Sequence, residues 1–228
     1  MGSVYPRGTT AAQLLPLYAA RLPAVEIVSS FTRMPSTEQI AAWATSVPQG
    51  FQFALKAPGR VSQDLAAGRG AAKSFGAFLA VVSELGDRLG PILVQVPDRL
   101  KVDRRALQEF LEAVPEGVRI AFEFRHPSWH DDATLRLLSA HDVATVLTDH
   151  GDAFPRLDVT ASFTYVRIRR DDDAMDGWAE RLALLTRRGV DVYAFLKHDR
   201  KGLAVDRAAR LSSLLRNESA IGEQALLS

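Results

Sequence analysis

The sequence reads as an α/β chain of the (β/α) TIM-type barrel class, with its first strand lacking or degenerate. Three features predict this. Short apolar runs alternate with helix-period segments almost without a break, no glycine-rich phosphate turn follows an early strand, and polar or charged side chains close most of the apolar runs. Runs this continuously apolar suit strands buried on both faces. Their spacing by helix-length segments suits right-handed βαβ units and a parallel sheet. An open doubly wound sheet would carry a phosphate-binding turn. A barrel instead gathers functional groups at the C-terminal ends of many strands.

The elements follow in order. A helix is expected around 11–21, weakened by Pro16, which removes one internal hydrogen bond. "VEIVSSF" (25–31) is the first clear strand. "STEQIAAWATSV" sets Ser36 and Gln39 in capping-box spacing and aligns Ile40, Trp43, Ala44 and Val47 on one helix face. "FQFALKAP" (51–58) is the next strand, followed by "APGRVSQDLAAGRGAAK", which reads as a long strand-to-helix loop of a length often functional. "AAKSFGAFLAVVSEL" then turns Phe75, Phe78, Leu79, Val82 and Leu85 inward, ahead of the strand "ILVQVP" (92–97). "DRRALQEFLEAV" is capped by Asp103 and buries Leu107, Phe110, Leu111 and Val114. The remaining strands are "RIAFEFR" (119–125), "ATVLTD" (144–149), "FTYVRIR" (163–169) and "VYAFLKHD" (192–199), with helices at 131–140, 174–188 and 204–216. An eighth strand must be missing or reduced to the neighbourhood of Val4–Tyr5. No linker or composition break divides the chain, so one domain is expected over 1–216, with a C-terminal tail at 217–228.

Composition narrows the function classes. In 228 residues, 47% are hydrophobic and 24% charged, with a net charge of +1, so no global field draws the chain to nucleic acid or an anionic membrane. Cysteine is absent, which removes disulfides, thiolate metal sites and cysteine nucleophiles together. No apolar run reaches the roughly 18 residues of a spanning helix, and "MGSVYPRGTT" carries no export signal, so a cytoplasmic location is expected. Neither nucleic acid nor membrane is an expected partner.

The charges at the strand ends carry the functional reading. Residues two apart in a strand share a face, so Glu123 and Arg125 lie opposite Phe122 and Phe124. If the aromatics pack outward on helices, the charged pair points inward. Lys56, Gln95, Asp149, Arg167 and Asp199 also fall at or near strand C-termini, and Glu26 lies in the first strand with Val28 and Ser30 on its face. A buried unpaired charge costs several kcal/mol, roughly, so this repetition is poor packing but a good binding mouth. Pro127 pushes His126 out of helical dihedrals and leaves it at the rim. Arg125, Lys56 and Arg167 have the chemistry to grip an anion, since a guanidinium fork suits carboxylate or phosphate and lysine adds a point charge. Gln95, Asp149 and Asp199 are further ligand-binding candidates. Glu123, Glu26 and His126 are the catalytic candidates, because a carboxylate among cations stays ionised and suits a base. Against this stands a structural ion pair between Glu123 and Arg125 filling a polar barrel layer. Glu26, Glu123, Asp149 and His126 offer oxygen and nitrogen ligands, yet no metal-binding spacing joins them, so neither a metal nor an organic cofactor is expected. Trp43, Trp129 and Trp178 read as packing residues.

The stretch "FEFRHPSW" resembles the signature of the YecE-like family, also called domain of unknown function 72. The likeness extends to "VEIVSSFTRMPS", where the family tends to read VEvNsTFYrlPs, and to "FQFALKAP", "GPILVQVP" and "TYVRIR", in order over 5–215. The resemblance implies a (β/α) barrel and a role for Glu26, Lys56, Gln95, Glu123, Arg125, His126 and Arg167; it implies no particular reaction. Several family positions differ here: Thr32 stands for a tyrosine, Ser62-Gln63 for threonine-histidine, and Arg169-Arg170 for histidine-glycine. Of the family's asparagine-asparagine-aspartate only Asp199 remains. The expected function is binding of a small phosphate- or carboxylate-bearing molecule, with metal-independent acid–base chemistry on it. The rival expectations are a non-catalytic anion sensor and a metal-dependent phosphodiesterase or endonuclease.

Overall fold

The computed structural model describes residues 5–149, 153–170, 174–197 and 203–226. The elements run α1 (Ala11–Ala19), β1 (Ala24–Ile27), α2 (Thr37–Thr45), β2 (Gln52–Lys56), α3 (Gly59–Ala66), α4 (Ala71–Val82) and β3 (Leu89–Val96). They continue with α5 (Arg104–Glu112), β4 (Ile120–Phe124), α6 (Asp132–Ala140), β5 (Ala144–Thr148), β6 (Phe163–Ile168), α7 (Met175–Thr186), β7 (Asp191–Leu196) and α8 (Leu203–Leu226). The strands follow sequence order from β1 to β7, and the pairings along β1–β5 and between β6 and β7 are parallel. Parallel strands in sequence order with intervening helices make this the expected (β/α) TIM-type class.

The chain forms two compact units. The first, built on Pro23–Val146, holds β1 to β4 and their helices. Its core follows from strand alternation. Phe122 meets Phe110 of α5 edge-on at 5.9 Å, Phe110 meets Phe75 of α4 at 5.2 Å, and Phe53 stacks on Trp43 of α2 at 5.9 Å. One face of β2 and β4 therefore carries aromatics onto the helices, and the alternate residues are left to face the other way. Ser36 and Asp103 cap their helices as read, accepting the N–H of Gln39 at 3.2 Å and of Ala106 at 3.0 Å.

The second unit holds α1, β6, α7, β7 and α8, together with Leu147–Leu157. Its interior is Phe163, Tyr165, Trp178 and Leu182, all fully buried, with Tyr165 against Phe195 at 5.0 Å. Pro16 lies inside α1 without ending it. The helix is short and begins with the Gln13 side chain accepting the Thr10 N–H at 2.9 Å, so one missing hydrogen bond is tolerated.

Three boundaries differ from the sequence reading. The stretch read as a long loop contains α3, whose Val61 and Leu65, four apart, are both buried. Three glycines at 59, 68 and 70 disguised it; two of them meet a backbone demand, Gly68 with a positive φ of 65° and Gly70 with one of 81° at the start of α4. The strand expected over 25–31 stops at Ile27 and becomes a 3₁₀ turn over Ser29–Phe31, so Val28 and Ser30 do not continue the Glu26 face. The helix expected to end at 216 continues to Leu226. Of the residual strand sought near Val4–Tyr5, Val4 lies outside the described residues and Tyr5 is a bend. Among the described residues no helix is long and apolar enough to cross a membrane.

Candidate functional site

Strand register decides which candidate side chains share a face. Glu26 pairs with Ala54, two residues before Lys56; Lys56 pairs with Leu93, two before Gln95; Gln95 pairs with Glu123. Paired residues of parallel neighbours point the same way. Glu26, Lys56, Gln95 and Glu123 therefore share the face opposite Phe53, Phe122 and Phe124. Within the first unit the alternation argument holds, and Lys56, Gln95 and Glu123 sit at the C-terminal ends of β2, β3 and β4.

Lys56 is fixed from two sides. Its ammonium donates to Gln95 Oε1 at 2.5 Å and lies 3.9 Å from the centre of the Phe31 ring. The backbone beneath is fixed as well. The Ser30 hydroxyl lies 2.7 Å from the Lys56 carbonyl, and the Ser62 hydroxyl donates to the Gln95 carbonyl at 2.6 Å. Each serine comes from the segment after one strand and ties down the end of the next. Both are buried. Ser62 thus uses its hydroxyl for positioning.

Glu123 is buried, whereas the Arg125 side chain, one step past the end of β4, is 46% exposed. Arg125 Nη2 stands 3.6 Å from Glu123 Oε1, an ion pair beyond hydrogen-bonding distance. Among the described residues the guanidinium makes no hydrogen bond, so its donor fork is unused. Next to it, His126 caps the 3₁₀ turn Pro127–Trp129, accepting the Ser128 N–H on Nδ1 at 3.1 Å. The Trp129 indole donates to the Leu100 carbonyl at 2.9 Å and the ring stacks on Phe124 at 4.6 Å, which holds this turn against the strand end.

The other candidates belong to the second unit. Asp149 is almost fully buried, and its carboxylate accepts the backbone N–H of Arg169 at 2.6 Å and of Arg170 at 3.4 Å, and the Trp178 indole N–H at 3.0 Å. It anchors the turn after β6 onto α7. Arg167 is half-buried in β6, in register with Phe195. Asp199 and His198 lie outside the described residues. His130 Nε2 is 3.2 Å from the Phe124 carbonyl, and His141 ends α6. No cluster of three or more histidine, aspartate or glutamate side chains suited to a metal forms among the described residues. Phe31, Ser30, Ser62 and Ser128 were not singled out as site residues from sequence, because their roles depend on contacts between segments.

A family model described as protein of unknown function DUF72 matches residues 1–226. A DUF72 family protein of solved structure from Thermotoga maritima is 25% identical, with a TM-score of 0.80 over 95% of this chain and 94% of its own. A DUF72 family protein from Enterococcus faecalis is 19% identical, with a TM-score of 0.73 over 91% of this chain and 95% of its own, which is a likeness of fold. No curated protein matches the chain. With its family model matched over residues 1–226, the chain belongs to the DUF72 family, proteins of unknown function.

Proposed function

We propose that the chain binds a small anion bearing carboxylate or phosphate at the C-terminal ends of β2, β3 and β4, and carries out metal-independent acid–base chemistry on it. The observation that supports this most is Arg125: a half-exposed guanidinium with one long ion pair and no hydrogen bond among the described residues, beside a buried carboxylate. A purely structural arginine would spend its fork on its partner. Lys56, held in place by Gln95 and Phe31, supplies a second cation on the Glu123 face. Glu123 is the group placed to take a proton from the bound molecule, with Glu26 on the same face as its alternate. Arg167 is the third cation of the reading, and Arg167→Ala tests it separately.

A thermal-shift screen against phosphate, sulfate, mono- and dicarboxylates and phosphorylated metabolites tests the binding. At about 100 times its Kd a ligand should stabilise the fold by about 2.7 kcal/mol. Hits are then followed for turnover with and without a chelator. The reading expects at least one anion to stabilise the protein and to be turned over at a rate the chelator leaves unchanged. Absence of any stabilising anion at millimolar concentration contradicts it, and a stabilising anion that is never turned over reduces it to binding.

A further inference from the structure

His126 has two ring nitrogens, and the turn after it has already committed one. Nδ1 receives the backbone N–H of Ser128 at 3.1 Å and stands 2.8 Å from the Ser128 hydroxyl oxygen. That oxygen accepts the backbone N–H of Val102 at 2.9 Å, which leaves its own hydrogen to point at Nδ1. A backbone N–H aimed at a ring nitrogen requires a lone pair there, so the neutral ring carries its proton on Nε2. A neutral imidazole has one in-plane lone pair, and here Ser128 covers it with two donors. Nε2 has no partner among the described residues, while the residue itself is only half-buried.

We infer that His126 meets its ligand as a hydrogen-bond donor through Nε2–H, held in that tautomer by Ser128, and not as a base. The inference rests on the anion reading above for what the donor serves: next to Arg125, an N–H without a partner suits the oxygens of a carboxylate or phosphate. It leaves proton removal to Glu123 and Glu26. Ser128 is then a positioning residue, acting on the ligand only through the ring it fixes.

The test is imidazole nitrogen NMR of the full chain at about pH 8, where free imidazole is neutral, with and without inorganic phosphate. His126→Gln assigns the signal among the five histidines. The expected spectrum has a pyrrole-type Nε2 and a pyridine-type Nδ1 on His126, and phosphate shifts the Nε2 resonance. Ser128→Ala should raise the Nδ1–H form roughly fivefold, the value of about one ordinary hydrogen bond. His126→Gln, which keeps an N–H donor, should hold phosphate affinity better than His126→Leu, which should lose roughly tenfold. A wild-type ring protonated on Nδ1 overturns the inference and leaves the anion reading standing. So does phosphate that binds without moving Nε2, or a tautomer ratio that Ser128→Ala does not change. An Nε2–H ring in a protein that binds neither inorganic phosphate nor any carboxylate of the screen overturns the anion reading and the donor role with it. The wild-type spectrum decides the tautomer even if Ser128→Ala fails to fold.

Discussion

Asp149 and Glu123 are both buried carboxylates at or near a strand end, yet their surroundings give them different uses. Asp149 has its oxygens on two backbone N–H groups and an indole, so it fixes a turn. Asp149→Ala strands those three donors and should cost about 3 kcal/mol of stability in urea unfolding. A loss of ligand affinity without a loss of stability would instead restore the ligand-binding role expected from sequence. Gly59 shows the converse, a residue whose use is its missing side chain. A Cβ there would stand 3.0 Å from Phe31 Cζ, on the ring that faces Lys56. Gly59→Ala should destabilise by about 1–3 kcal/mol through overpacking and loosen the Lys56 ammonium. Unfolding midpoints and anion affinity measured together check both effects, and an unchanged protein would show that the ring moves aside at no cost.

Caps decide where several of these helices begin, and they were readable because each uses a short polar side chain three residues before its donor. Ser36→Ala should cost about 1 kcal/mol at the start of α2. At α6 the cap is Asp131, whose carboxyl accepts the Thr134 N–H at 2.8 Å and pairs with Arg104. The Thr134 N–H first, and then Arg104, hold its pKa down from 3.8 to about 2. A depressed carboxyl stabilises the fold when ionised. Its contribution is therefore fully present above about 3.8 and is lost as the pH falls through about 2. Hydrogen exchange at the Thr134 amide should show protection fading over that window, and Asp131→Asn should flatten the dependence. An acid limb equally steep in the variant would assign it to another group. Helix α3 was hidden for the opposite reason: its signal is the pair Val61 and Leu65, outweighed by glycines around it.

Across the chain, burial grades the strands. All residues of β4 are buried, and in β3 all but Leu89 and Gln95, whereas β1 is only half-buried along its length and β7 holds no fully buried residue. Slowest amide exchange is expected in β3 and β4 and faster exchange in β1 and β7; a uniform rate over all four would contradict this grading. The alternating fold was legible because buried parallel strands and amphipathic helices leave different apolar periods in sequence. The Glu123 face was legible for the same reason, since a period of two puts charges and aromatics on opposite sides. The end of β1 was not, because Ser30 leaves the strand to reach the Lys56 carbonyl, a contact 26 residues away in sequence. Neither was the polarity of His126, which is set by a serine hydroxyl and a backbone N–H that look ordinary in a row of letters.

The central claim is that Arg125 faces a ligand rather than merely balancing Glu123, and Arg125→Ala measured for anion affinity and melting temperature together tests it most directly. The ligand is the best anion from the thermal-shift screen. Arg125→Ala should weaken its binding by roughly 1.5–3 kcal/mol, the range for a charge-assisted contact. Arg125→Lys should also bind poorly, because a point charge does not reproduce the fork. Affinity equal to wild type in both variants, with a lower melting temperature, would make the pair structural and contradict the account.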